Sequence, residues 1–177
     1  GVSSTFKLVG RDVSPVQLAR EAYDAGLRAF GENRVQEALA KMPDMPGDIE
    51  WHLIGHLQSN KARQAAGQFA LIHSIDSVHL ACELDKHAAK MDRHQPVLLQ
   101  VNIADEESKS GFAPAEAIDA AGEIGQLNCL QVRGFMTMGP LAANPEAVRW
   151  VFRRLRELRD RAQASWPQLP LRALSMG

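Results

Sequence analysis

The chain has 177 residues, and its 20 Lys and Arg against 21 Asp and Glu leave a formal net charge of −1. The length suits one domain spanning residues 1–177, and 45% hydrophobic and 23% charged residues describe an ordinary soluble protein with a sizeable core. The interspersed charges argue against a basic nucleic-acid surface, and no apolar stretch approaches the roughly 18 residues that span a membrane.

The first predicted element is a short strand, "FKLVG" at 6–10. Helix "SPVQLAREAYDAG" follows, with Ser14 placed to cap, Pro15 suited to the first turn and Gly26 to the end. Then come strand "RAFG" and helix "NRVQEALAKM", and the turn "PDMPGD" leads to strand "EWHLIG" and the short helix "NKARQAA". "FALIHSID" is the fourth strand and "SVHLACELDKHAAKM" its helix. "QPVLLQVNI" is the fifth and clearest strand, followed by helix "APAEAIDAAGEIG" and strand "LQVRGFMTM". A long helix from about Pro145 to Ala164 and a seventh strand, "LRALSMG", complete the order. In that long helix Val151, Leu155 and Leu158 share one face, and the arginines interleaved with Glu157 and Asp160 read as a solvated one.

Strands alternating with helices imply right-handed βαβ units and a parallel sheet. A dinucleotide-binding sheet and a (β/α)8 barrel of the TIM type both fit this order. No GxGxxG follows a strand, which favours the barrel, with its eighth strand outside the 177 residues. Cys82 and Cys129 are far apart and form no CxxC, so they read as reduced, partly buried thiols in a cytoplasmic protein. "GVSSTFKLVG" lacks a signal-peptide pattern.

Parallel α/β folds bind ligands beyond the carboxyl ends of their strands. Those positions hold Gly31, Glu32 and Asn33, then Gly55 and His56 with Gln58, Ser59 and Asn60, then Asn102, "GFMTMG" and "SMG". His52 and His56 have zinc-like spacing for a helix, but Gly55 intervenes and no carboxylate or thiol completes a ligand set. On a strand both histidines could point inward, or His56 could belong to the loop; His52 reads as a core or ligand-contacting residue. Asn33 and Asn60 each precede a helix, where N-capping competes with ligand contact. Ser110 and Gly111 read as a plain turn or a ligand loop, Lys109 as solvated or facing the mouth, and Met136 and Met138 as packing.

Together, "AYDAGLRAFGENRVQEAL", "EWHLIGHLQSNKAR", "IHSID", "LLQVNIADEESKSGF", "VRGFMTMGP" and "LRALSMG" resemble the pyridoxal phosphate homeostasis proteins of the YggS/PROSC type, over about Val13 to Gly177. The resemblance implies a barrel like the N-terminal domain of alanine racemase, binding pyridoxal 5′-phosphate (PLP) at the strand mouths. It places Asn33 and His52 near the ring, with Met136 and the turn Ser175, Met176 and Gly177 lining the pocket. It also implies a carrier or regulator of PLP, a monomer without turnover of its own, serving PLP-dependent apoenzymes.

Two departures follow. The family's Schiff-base lysine falls 19 residues before Gly31, where Asp12 stands, and matching "VSSTF" instead puts Ser4 there. Lys7 is the lysine near the first strand and fits with a shifted register. "LSMG" ordinarily leads into a turn, a helix and an eighth strand whose Arg faces the pyridine nitrogen, so the expected barrel lacks that strand and parts of its N-terminus. The alternative is a PLP-dependent racemase, which needs acid/base groups on both faces of the substrate carbon. The one tyrosine, Tyr23, lies in a predicted helix. A barrel acting on sugar phosphates would need more carboxylates or lysines at its strand ends than are present.

Overall fold

The structure, a computed structural model, describes residues 14–104, 110–140 and 145–177. The strand expected at 6–10 lies outside the described residues, and the other six form: β1 (Ala29–Glu32), β2 (Glu50–Leu53), β3 (Leu71–Ile75), β4 (Gln95–Gln100), β5 (Leu130–Thr137) and β6 (Ala173–Met176). Helices α1 (Pro15–Asp24), α2 (Val35–Lys41), α3 (Ala62–Ala65), α4 (Val78–Lys90), α5 (Ala117–Ile124) and α6 (Pro145–Ser165) alternate with them. Every neighbouring strand pair is parallel and the sheet order is β1-β2-β3-β4-β5-β6. Each crossover therefore advances one strand in one direction. A doubly wound sheet would reverse at a switch point, whereas this is the winding of a TIM-type sheet.

The sheet curls. His73 on β3 and Ser175 on β6 are separated by two intervening strands, yet His73 Nδ1 lies 2.9 Å from Ser175 Oγ. Three inter-strand steps would place them about 14 Å apart on a flat sheet. Their direct contact requires a concave face whose side chains converge.

Helices cover the convex face. Leu80, Leu84 and Ala88 of α4, Ala117, Ala121 and Ile124 of α5, and Val151, Leu155, Leu158 and Ala162 of α6 repeat at helical spacing and are buried against Leu53, Ile72, Val97, Leu99 and Phe135. Each fully buried Leu contributes roughly 1.5–3 kcal/mol, and truncating one such as Leu155 to Ala costs about 2–5 kcal/mol. The arginines at 153, 154 and 156 face solvent, as the interleaved charges predict.

Local chemistry sets the ends. The Ser14 hydroxyl accepts from the Gln17 N–H at 3.2 Å with Pro15 in the first turn of α1, and Ser77 caps α4 in the same way through Leu80. α5 begins at Ala117 instead of Ala113: Pro114 disfavours helical backbone at Ala113, and 113–116 forms a turn closed by Glu116 N–H to Ala113 O. The segment expected as helix 60–66 splits into a 3-10 turn, Ser59–Lys61, and the single turn of α3. Gly134, at φ +152°, lets β6 approach β5, for a Cβ there would sit 1.9 Å from Ala173 O. Cys129 is half-buried, but Cys82 is exposed on the outer face of α4, contrary to the expectation of a partly buried thiol. Among the described residues no helix is long and apolar enough to cross a membrane.

Candidate functional site

Strand alternation decides which side chains reach the concave face. Trp51 and Leu53 of β2 and Ile72 and Ile75 of β3 belong to the helix-covered core, so His52 and His73 point the other way. Gly31 stands in register with His52. On the far side Gln100, Met136 and Ser175 form one register row across β4, β5 and β6. Met136, 3% exposed, and Leu98, 1% exposed, both lie outside the convex core, so they are apolar residues buried on the other side of the sheet.

His73 joins the two sides. Its Nε2 is 3.1 Å from His52 Nδ1 and its Nδ1 is 2.9 Å from Ser175 Oγ, so one imidazole bridges β2 and β6. The His52 and His73 rings lie 5.2 Å apart, tilted by 49°. Burial, with the neighbouring His52 adding to it, pushes His73 down to about 4. Burial also lowers His52, partly opposed by Glu50. Both imidazoles are therefore neutral at pH 7.

The loops at the mouth are held by backbone contacts. The extra residue in β3 between Ile72 and Ile75, opposite Val97 and Leu99, leaves Ser74 free to donate to the Gly55 carbonyl at 2.7 Å. Gly55 in turn packs on the backbone of Asn33, where a Cβ would meet Asn33 O at 2.2 Å. Asn33 is exposed and caps nothing: the α2 N-cap is Arg34, without a side-chain cap bond. Asn60 lies inside the 3-10 turn whose N-cap is Gln58, so neither asparagine serves as the capping residue.

The paired-histidine idea resolves differently. β2 ends at Leu53, which leaves His56 in the following loop, its Nδ1 3.2 Å from Asp76 Oδ2. His52 meets His73 instead. No group of three or more His, Cys, Asp or Glu that could hold a metal occurs among the described residues.

At β6 the Ser175 hydroxyl reaches the concave face, while Met176 takes the next position in the alternation and is 41% exposed. The Gly177 N–H donates to Thr137 O at 3.2 Å and its carbonyl accepts from Gly139 N–H at 2.7 Å, so this part of the turn is tied into the sheet end. Gln100 Nε2 donates to Ser110 O at 2.9 Å, fixing the start of the segment before α5. The chain bends at Gly111, whose φ is +133°.

Lys7 and Lys109 lie outside the described residues. Among described lysines, Lys41 is held by Glu32 at 2.6 Å with both side chains largely buried, and Lys61 sits in the 3-10 turn. Glu32 alternates with Gly31 and so faces α2, away from His52. No motif marks His73 within "IHSID"; the signal for it in the sequence is its position next to Ile72, which belongs to the core side of β3.

The sequence profile described as the alanine racemase N-terminal domain matches residues 4–177. The pyridoxal phosphate homeostasis protein of Aquifex aeolicus is 43% identical over 173 residues, covering 97% of this chain and 75% of that protein. The one from Synechocystis is 39% identical, covering 88% of this chain and 72% of its own. Among solved structures, PipY of Synechococcus elongatus with PLP bound is 42% identical, with a TM-score of 0.83 over 92% of this chain and 76% of that one. An alanine racemase of Clostridium difficile shares the fold at 12% identity, with a TM-score of 0.76 over 90% of this chain and 42% of the racemase.

Proposed function

This chain belongs to the pyridoxal phosphate homeostasis protein family, built on the alanine racemase N-terminal domain, and from that premise we propose that it binds PLP on the concave face at the carboxyl ends of its strands. The observation that carries the placement is the convergence of His52, His73 and Ser175 beside buried Met136.

The residues present fit the group. Apolar side chains suit a flat aromatic ring, and neutral donors and acceptors suit its ring substituents without the cost of burying an unpaired charge. The Ser175 hydroxyl supplies a donor for a phosphate oxygen beside the end of β6, where TIM-type folds hold phosphates. Asn33, whose side chain has no hydrogen-bond partner among the described residues, and His52 would face the ring; Met136 and the backbone of Met176 and Gly177 would border it. Lys7 is the amine we assign to the aldehyde, as the lysine nearest the first predicted strand; Lys41 is engaged by Glu32. When bound, PLP supplies an aldehyde that captures primary amines and a ring that accepts electron density.

The same reading makes the chain a monomeric carrier without turnover, with PLP-dependent apoenzymes as recipients. Racemisation needs a second acid/base group across the substrate. Tyr23 does not supply it: its hydroxyl donates to Asp48 at 2.7 Å, just before β2, at the opposite end of the strands from the mouth. The test is an absorbance titration of the purified protein with PLP, followed by incubation with L-alanine. Saturable binding, weakened at least tenfold in Ser175→Ala, with no D-alanine formed, is the expected result. Unchanged affinity in that variant would remove the site, and D-alanine production would remove the carrier reading.

A further inference from the structure

His73 has no ligand contact of its own in the proposed PLP site, and it occupies the position from which the two sides of the site can be linked. It is 9% exposed, and each of its ring nitrogens has one polar partner, His52 Nδ1 and Ser175 Oγ. Because it is neutral, it carries one N–H and one lone pair, so it must donate to one partner and accept from the other. Two arrangements satisfy the chain. In the first, Ser175 donates to His73 Nδ1, and His73 Nε2–H donates to His52 Nδ1. The proton of neutral His52 then sits on Nε2, and Ser175 has only lone pairs left to offer. In the second, His52 Nδ1–H donates to His73 Nε2, and His73 Nδ1–H donates to Ser175 Oγ. His52 Nε2 is then a bare acceptor, and the Ser175 O–H is free to donate.

The ends of the chain are therefore opposite in character, one a donor and the other an acceptor. The geometry points to His73 as a positioning residue that couples Ser175 to His52, so that an anionic oxygen accepting from Ser175 turns His52 Nε2 into an acceptor. This inference rests on PLP occupying the site with its phosphate beside Ser175. It adds a selection rule: the ligand group beside His52 must carry a proton when the group beside Ser175 is an anion. A hydroxyl or a protonated nitrogen fits that rule, and a second bare oxygen anion does not.

Two measurements test it. Nitrogen-15 NMR of histidine-labelled protein reports which ring nitrogen is protonated, with and without PLP. Saturation with PLP is expected to place the proton of both His52 and His73 on Nδ1. Titrations of His52→Ala, Ser175→Ala and the double variant, repeated in a His73→Leu background, measure the coupling between residues that do not touch each other. With His73 present, the double variant should lose about tenfold less affinity than the product of the single losses, and in His73→Leu the losses should multiply. Should His73→Leu fail to fold, the tautomers of the wild-type protein decide alone. PLP binding with His73 protonated on Nε2, or coupling that survives His73→Leu, would overturn the inference and leave the PLP site standing. Failure of the wild-type protein to bind PLP would remove both.

Discussion

Gly55 lies so close to Asn33 that a Cβ on it would stand 2.2 Å from the Asn33 carbonyl oxygen and 2.7 Å from its Cα. The loop after β2 thus seats the loop after β1, and the Ser74 hydroxyl locks the pair from β3. Neither neighbour can yield, since the obstructing atoms are backbone. Gly55→Ala should destabilise the protein by about 1–3 kcal/mol, as overpacking does, and displace Asn33. Urea unfolding measures the first effect and a PLP titration the second. A variant with wild-type stability and affinity would show that this contact does not hold the mouth together.

Stability should rise with pH across the window set by His73. Its folded value is about 4, against 6.5 for a free histidine. Between those values the unfolded chain takes up a proton that the folded chain refuses, so stability is full above about 6.5, declines as the pH falls, and levels off near 4. The difference is on the order of 3 kcal/mol from this residue, and burial of His52 acts in the same direction. Denaturation midpoints at several pH values measure the slope. His73→Leu should flatten it, and an unchanged slope in that variant would assign the effect elsewhere.

Covalent attachment should fall on Lys7. An amine reacts with the aldehyde when unprotonated, a state that desolvation favours and solvent exposure does not. Lys41 is excluded by its ion pair with Glu32. Borohydride reduction of the PLP-saturated protein followed by peptide mass spectrometry locates the label. Label found solely on Lys61 or Lys109 would sink the assignment.

Zinc should not co-purify in stoichiometric amount. His52 and His73 direct ring nitrogens at each other and at Ser175, which among the described residues leaves His52 Nε2 as the one unengaged imidazole nitrogen of the two, too few for a tetrahedral site. Elemental analysis checks this. Bound zinc that disappears in His52→Ala would contradict it.

Much of this protein is legible along the chain. Apolar runs of strand length, helical spacing such as Val151, Leu155 and Leu158, and the Ser14–Pro15 helix start are local signals, and each element they mark within the described residues forms within a few residues of its expected bounds. The alternation of strands and helices carried the parallel sheet as well. His52 and Met136 were singled out by the resemblance, and strand alternation turns both side chains away from the helix-covered core. Asn33 and Asn60 were harder: the sequence offers both capping and ligand contact to an asparagine before a helix, and only the backbone conformation at Arg34 and Gln58 excludes the cap.

The partners of His52 belonged to the tertiary structure. Spacing of four in the chain suggested His56, but the strand ends at Leu53 and His56 turns to Asp76. The actual neighbour, His73, is 21 residues away, and the residue beyond it, Ser175, another 102. Residue order fixes which side of a strand each of them occupies, through the two-residue period of the backbone. It does not fix how far the sheet bends. That depends on twist accumulated over six strands and on the layer of helices packed outside them, a sum over many residues that no single motif encodes. The curl brings β3 and β6 within one hydrogen bond of each other, and with it the concave site exists.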